Sequence, residues 1–186
     1  MIVNGLPTRV STFKVEKPAT EVLQFYQERW QKNEDGKNPG YALAQTDPWS
    51  VISRLERKRY LLTVQVRATS EFASTGFLAE ADVKSIVRRK NSNIPMLRGS
   101  TVVNETTSYD PGKKATTVLL TNNQSVQANS QFYKQYYTER NWSSLLNQQQ
   151  KKGHVLFYQG RGKETHIVIN GASGATQVVV TYIENK

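Results

Sequence analysis

Two histidines, His154 and His166, are the residues of this chain best suited to acid–base or metal chemistry, and the chain has no cysteine. The lack of cysteine rules out disulfides, thiolate metal sites and cysteine nucleophiles. A turn predicted at 160–163 pairs His166 with Phe157 rather than with His154, so we do not expect the two imidazoles to share a metal ion. Neither histidine is accompanied by carboxylates at the spacing of a metal site. We therefore predict no catalytic residue, no metal and no cofactor.

A glycine-rich segment, Gly160-Arg161-Gly162-Lys163, has some of the residues of a phosphate-binding loop. That motif needs four residues between its glycines and a hydroxyl side chain after the lysine, and this segment has neither. Its composition favours a β-turn with the charged side chains outside. The carboxylates of Glu71, Glu80 and Asp82 show no pairing that would raise one pKa against another. An enzyme with a site between two repeats, using either histidine as a base, is therefore our second alternative.

Basic residues are the strongest functional signal in the sequence. Lys and Arg number 25 against 15 Asp and Glu, and the resulting net charge of +10 predicts attraction to an acidic surface. The candidate partner-binding residues are Arg54, Arg57 and Arg59 at one predicted hairpin turn, Arg161 and Lys163 at another, and Arg88, Arg89 and Lys90 in a linker. The alternative interpretation is a solvated positive surface that keeps the protein soluble.

Two helical segments, each with a Gln-Phe-Tyr triplet, are expected to support these turns. Phe25 and Phe132 are 107 positions apart and Val64 and Val168 are 104 apart, which indicates an internal duplication. The aromatic residues recur at helical spacing, so we expect them to pack on a sheet as core. The predicted class is α+β, with two similar repeats in (β)βαβββ order, each an antiparallel sheet covered by one helix.

The predicted repeats span 1–84 and 99–186, joined by a basic linker at 85–98 and packed as one globular unit. Helix- and strand-breaking residues predict a loop at 31–48. No apolar run approaches the roughly 18 residues of a membrane span, and the first residues lack the features of a signal peptide. The leading methionine also fits a start from which an export signal or anchor has been removed.

The polar face of the first predicted sheet bears on nucleic-acid binding, because bases stack on aromatic side chains that a sheet exposes. The first repeat offers Thr63, Gln65 and Arg67 on that face, which argues against an RNA-recognition sheet. Nucleic-acid binding stays our first alternative because of the net charge. It predicts an affinity that falls steeply with salt.

Three short motifs in the second half follow one another in a recognisable order. They are Ile94-Pro95-Met96-Leu97-Arg98-Gly99, Gln131-Phe132-Tyr133 and Asn141-Trp142, with predicted strands at 155–183 after them. In this order the segment resembles a recurrent module of bacterial envelope proteins, in which a second proline stands in place of Arg98 and a glycine in place of Asn141. The resemblance implies an extracytoplasmic binding or assembly role, and no catalytic residue transfers with it.

These patterns together predict a non-catalytic accessory of a bacterial cell-envelope, pilus or secretion machinery. It would dock a protein partner with an acidic surface through the basic hairpin tips and the linker. The expected location is the periplasm or the cell envelope, and the cytoplasm is the alternative.

Overall fold

The computed structural model describes residues 1–32, 40–85, 94–172 and 174–185 of the chain. In chain order its elements are β1 (Ile2–Val3), β2 (Leu6–Val15), α1 (Ala19–Arg29), β3 (Ala42–Thr46), β4 (Trp49–Glu56), β5 (Tyr60–Ser70), β6 (Ala73–Asp82), β7 (Thr101–Asp110), β8 (Lys113–Asn122), α2 (Val126–Thr138), β9 (Ser143–Gln150), β10 (Gly153–Gly160), β11 (Lys163–Ala172) and β12 (Ala175–Asn185). Neither of these helices is long and apolar enough to cross a membrane.

The chain divides into two compact units, one formed by Leu6–Val87 and one by Met1–Gly5 together with Arg88–Lys186. We call them the N-terminal unit and the C-terminal unit. The strands of the N-terminal unit lie in the order β3-β4-β5-β6-β2, and those of the C-terminal unit in the order β1-β7-β8-β12-β11-β10-β9. Neighbouring strands in each unit are antiparallel.

The C-terminal unit has the larger apolar core, and α2 is part of it. Ser125 caps this helix, with its Oγ accepting a hydrogen bond of 3.0 Å from the Ala128 amide. Tyr133 and Tyr137 are each 1% exposed and pack on the sheet, where Tyr137 stacks on Tyr158 at 5.0 Å between ring centroids. The other buried members of this cluster are Ile94, Val118, Leu120, Leu156, Ile167, Ile169, Val178 and Val180.

A buried amide pair joins α2 to the end of β8. The Asn122 Nδ2 donates to the Asn129 Oδ1 at 2.9 Å, and the Asn129 Nδ2 donates back to the Asn122 Oδ1 at 3.0 Å. The Asn129 Nδ2 also donates to the Ser125 carbonyl at 2.9 Å. The pair satisfies polar groups that would otherwise be buried without partners, so it fixes the start of α2 on the sheet.

The helix of the N-terminal unit packs more loosely on its sheet. None of the residues of α1 is buried, and Phe25 is 55% exposed. The buried cluster consists of Trp30 after the helix, Ile52 on β4 and Val64 on β5. The predicted aromatic helical core therefore forms under α2 and only at the margin of α1.

The predicted α+β class, two repeats each made of a sheet covered by one helix, is wrong. Strands make up 61% and helices 14% of the described residues, so the protein is mostly antiparallel sheet with twelve strands. Two of the strands that the prediction lacks are β3, inside the supposed loop 31–48, and β9. Every residue of these two edge strands is exposed, so no alternation of buried and exposed positions marks them in the sequence. Backbone pairing with β4 and β10 holds them in place.

Candidate partner-binding site at the basic hairpins

The first basic hairpin is the β4–β5 turn, whose tip is formed by Arg57 and Lys58. Both residues have φ of 50°, the left-handed conformation that a tight hairpin turn requires at its centre. Both side chains are exposed. The tip therefore presents two cations to the surroundings.

Arg59 follows this tip and forms an ion pair within the sheet. Its Nη2 lies 2.7 Å from the Asp82 Oδ2, and its Nε lies 3.1 Å from each oxygen of that carboxylate. The hydrogen bond from Arg59, followed by one from Ser85, holds the pKa of Asp82 well below its usual range, and the same carboxylate raises the pKa of Arg59. Arg59 thus has its own counter-ion, which weakens its assignment to an acidic partner.

Arg54 lies away from the tip, on β4, although the sequence groups it with the turn. Two residues from the buried Ile52, it points to the same side of the sheet, which is the side that carries α1. Its Nε is inaccessible to solvent and has no hydrogen-bond partner within the described part of the chain. The linker candidates Arg88, Arg89 and Lys90 lie outside the described residues.

The second basic hairpin is the β10–β11 turn, with Arg161 at φ 53° and Gly162 at φ 72°. Lys163 opens β11, and its Nζ lies 3.1 Å from the Glu184 Oε1, while the Lys114 Nζ lies 3.1 Å from the Oε2. These bonds, that from Lys163 first, lower the pKa of Glu184, and the bond to Glu184 raises the pKa of Lys163. Among the described residues Arg161 has no hydrogen bond or ion pair, so its guanidinium is available to a ligand.

A pocket of about 220 Å³ opens beside this second turn. Its lining combines cations with aromatic rings and consists of Pro95, Tyr136, Tyr137, Arg140, Trp142, Arg161, Lys163 and Tyr182. The Arg140 guanidinium lies 3.7 Å from the centre of the Tyr136 ring, and the Lys163 Nζ lies 5.6 Å from that of Tyr182. We call it the cationic pocket.

Two backbone features bring the Trp142 indole into the cationic pocket. Asn141 has φ of 56°, a left-handed conformation that asparagine tolerates better than most residues. A Cβ on Gly160 would lie only 2.9–3.1 Å from three atoms of the indole ring, so the glycine allows the ring to approach β10 closely. Trp142 then lies 5.0 Å from the Tyr137 ring and 6.2 Å from the Tyr182 ring.

Two residues that line the cationic pocket, Arg161 and Lys163, were predicted from the sequence as partner-binding residues. The lining residues Arg140, Trp142 and Tyr182 were not among those predicted. A partial signal existed, because Arg140-Asn141-Trp142 places a cation and an aromatic ring directly after a predicted helix. Tyr182 lies opposite Thr165 in the β11–β12 hairpin. The contact of its ring with Trp142 joins residues that are far apart in the sequence, and no local pattern predicts it.

The two histidines lie on opposite faces of the C-terminal sheet. His166 pairs with Phe157, which confirms the predicted register, and His154 pairs with the buried Ile169. The His154 Nε2 lies 2.7 Å from the Asn147 Oδ1, and burial, with a smaller contribution from Lys134, lowers the pKa of His154. His166 packs against the Phe157 ring at 3.9 Å between centroids. The described residues contain no group of three or more His, Asp or Glu that could hold a metal ion.

Comparison with known proteins gives this chain no relative. It matches no protein-family model, and no similar protein was found among the curated proteins or the solved structures. A functional proposal therefore depends on the geometry of the hairpins and of the cationic pocket.

Proposed function

We propose that the protein is a non-catalytic binding protein that docks an acidic segment of a partner protein at the β10–β11 hairpin. The observation that carries the proposal is the cationic pocket, where Arg140, Arg161 and Lys163 surround aromatic walls. A carboxylate at the rim would accept hydrogen bonds from the guanidinium of Arg161, which has no other partner among the described residues. Charge-assisted hydrogen bonds of this kind are the strongest that side chains make.

The size of the cationic pocket favours a peptide side chain over a complete small-molecule ligand. Pockets for such ligands measure roughly 300–1,000 Å³, whereas this one has about 220 Å³. Tyr136, Trp142 and Tyr182 offer rings against which an apolar or aromatic side chain can pack. An acidic segment with one such anchor next to a carboxylate fits both properties of the pocket.

We place this activity in a bacterial cell-envelope, pilus or secretion assembly, in the periplasm or at the envelope. The support for this setting is the resemblance of 94–183 to envelope modules. The exposed cations of the β4–β5 turn, Arg57 among them, are candidates for a second contact with the same partner.

The test uses a fluorescein-labelled peptide of alternating glutamate and tyrosine, with binding measured by fluorescence anisotropy. The Arg140→Gln/Arg161→Gln double variant should bind at least about tenfold more weakly, because a hydrogen bond to a charged group contributes about 1.5 kcal/mol or more and 1.4 kcal/mol is a factor of ten. The matched control is Lys113→Gln/Lys151→Gln, which removes the same charge from two other exposed turns of the unit. The control should bind the peptide like the wild-type protein.

Equal weakening in both double variants would mean that net charge alone attracts the peptide, and the proposal would fail. Unchanged binding in the Arg140→Gln/Arg161→Gln variant would exclude the cationic pocket as the docking site.

A further inference from the structure

Among the described residues, a helix covers only one face of the N-terminal sheet, and the opposite face is aromatic as well as polar. Because α1 lies on the side of Ile52 and Val64, the opposite side is defined by residues at alternate positions of each strand. Pairing across the strands gives two rows there. They are Thr46–Trp49–Arg67–Thr75–Lys14 and Ala44–Val51–Gln65–Phe77–Thr12. We call these two rows the open face.

Two aromatic side chains meet at the centre of the open face. The rings of Trp49 and Phe77 lie 5.3 Å apart between centroids and are tilted by 44°. Phe77 is 37% exposed, whereas an aromatic ring in a strand interior is normally covered. Trp49 is half-buried, so the pair offers one exposed ring, that of Phe77, on the surface of the sheet. An exposed ring on a sheet is the kind of surface on which unpaired bases stack.

This observation removes the argument that the sequence makes against an RNA-binding sheet. Thr63, Gln65 and Arg67, the residues predicted for the polar face, include no aromatic side chain. Those three residues do lie on the side of the sheet away from α1, as predicted. The registers of β4 with β5 and of β5 with β6 place Trp49 and Phe77 on that side as well.

The charges of the open face are complementary to phosphate. Arg67 lies over the Trp49 ring at 5.1 Å, and Lys14 lies two strands away in the same row. Neighbouring strands are about 4.8 Å apart, so the backbone positions of the two residues are separated by roughly 10 Å, with Thr75 between them. The two rows contain no acidic residue among the described positions.

We infer that the open face binds a single strand of nucleic acid. Bases would stack on Phe77 and Trp49, phosphates would pair with Lys14 and Arg67, and Gln65 and Thr12 on either side of Phe77 would offer hydrogen bonds to base edges. A duplex does not fit this mode, because its bases are already stacked on one another. The activity is separate from the proposed protein docking, since the two sites lie in different units and share no residue.

The full chain is titrated into a labelled oligo(dT), and binding is measured by fluorescence anisotropy. The oligonucleotide has about 12 nucleotides, which is within the usual site size of proteins that bind single strands. Phe77→Leu keeps an apolar side chain but removes the ring. It should weaken binding by about 5- to 150-fold, since stacking contributes about 1–3 kcal/mol per base. The matched control is Phe25→Leu, which removes an exposed ring from α1 on the other side of the sheet and should leave the affinity unchanged. Phe77→Tyr retains the ring and should retain the binding.

The charge arm of the experiment compares two single variants over a range of salt concentrations. Arg67→Gln should reduce the slope of log affinity against log salt by about 1. Arg9→Gln removes an exposed cation from β2 on the side of α1 and should leave the slope unchanged. Circular dichroism of each variant reports whether the sheet is intact.

Three results would overturn the inference. The first is equal affinity for a duplex of the same length, which would mean attraction by charge alone. The second is a folded Phe77→Leu variant that binds like the wild-type protein. The third is full competition by the glutamate–tyrosine peptide, which would assign the open face to a protein partner instead.

Discussion

The buried Asn122–Asn129 pair allows a sharp test of what holds α2 on its sheet. Replacing Asn129 by alanine removes both bonds of the pair and the bond to the Ser125 carbonyl. Each such bond contributes about 1 kcal/mol net, so the loss amounts to about 3 kcal/mol. Alanine is the better helix former by roughly 0.6 kcal/mol, and the offset leaves an expected destabilisation of about 2 kcal/mol.

Asn122 keeps part of its bonding in this variant, which limits the cost. Its Nδ2 still donates to the Ser100 Oγ at 2.9 Å, and its Oδ1 still accepts from the Gln124 amide at 3.0 Å. The Asn122→Ala/Asn129→Ala double variant should therefore be less destabilised than the sum of the single variants. The shortfall measures the coupling energy of the pair.

Hydrogen exchange read by mass spectrometry suits this measurement, because peptides covering α2 report on the C-terminal unit alone. The Asn129→Ala variant should lose protection in α2 by a factor of roughly 30, corresponding to about 2 kcal/mol. Asn123→Ala, a neighbouring exposed asparagine, should change the stability by no more than about 0.5 kcal/mol. Equal protection in Asn129→Ala and Asn123→Ala would refute the reasoning that this pair anchors the helix.

Further predictions concern the tyrosines, the cationic pocket and the first hairpin. Burial raises the pKa of Tyr137 to about 12. Because tyrosine in the unfolded chain ionises at about pH 10, the contribution of Tyr137 to the free energy of unfolding is complete below that pH and is lost as the pH rises towards 12. In unfolding titrations, Tyr137→Phe should therefore lose less stability at alkaline pH than the wild-type protein. Gly160→Ala should destabilise the C-terminal unit by about 1–3 kcal/mol, because its Cβ would crowd Trp142, as denaturation followed by tryptophan fluorescence would show. Gly171→Ala, whose Cβ would meet its nearest atoms at an ordinary 3.5 Å, should be nearly neutral there. Because the pKa of Asp82 is lower in the folded than in the unfolded chain, this carboxylate stabilises the fold above its unfolded pKa, and the stabilisation is lost as the pH falls. Asp82→Asn should therefore make the thermal unfolding of the N-terminal unit less sensitive to acid. An unchanged acid dependence would contradict the role of the Arg59 pair.

Local signals in the sequence predicted the features that depend on neighbouring residues. The pairing of His166 with Phe157 follows from the residue types of the turn within one hairpin. The fold class was wrong because β3 and β9 have no apolar alternation. A strand that is exposed throughout looks like a loop to any rule based on burial.

The candidate sites depend on the registers of several paired strands taken together, which residue types within one element do not specify. The ion pair of Arg59 with Asp82 forms because Tyr60 pairs with Asp82 across the β5–β6 hairpin, so a cation counted as a partner contact is already neutralised. The open face appears only when the registers of β4, β5 and β6 are known together.

The exposed edge strands β3 and β9 have a consequence for how the chain behaves at high concentration. Neither Ala42–Thr46 nor Ser143–Gln150 contains a charged residue, although charges, proline or bulges commonly protect sheet edges from pairing with another molecule. The last residues of β9, Asn147 to Gln150, are a run of side-chain amides, which stack favourably when strands from many chains line up. The net charge of +10 then acts as a colloidal barrier between copies. Added salt lowers this barrier, so we expect salt to promote edge-to-edge self-association of the chain.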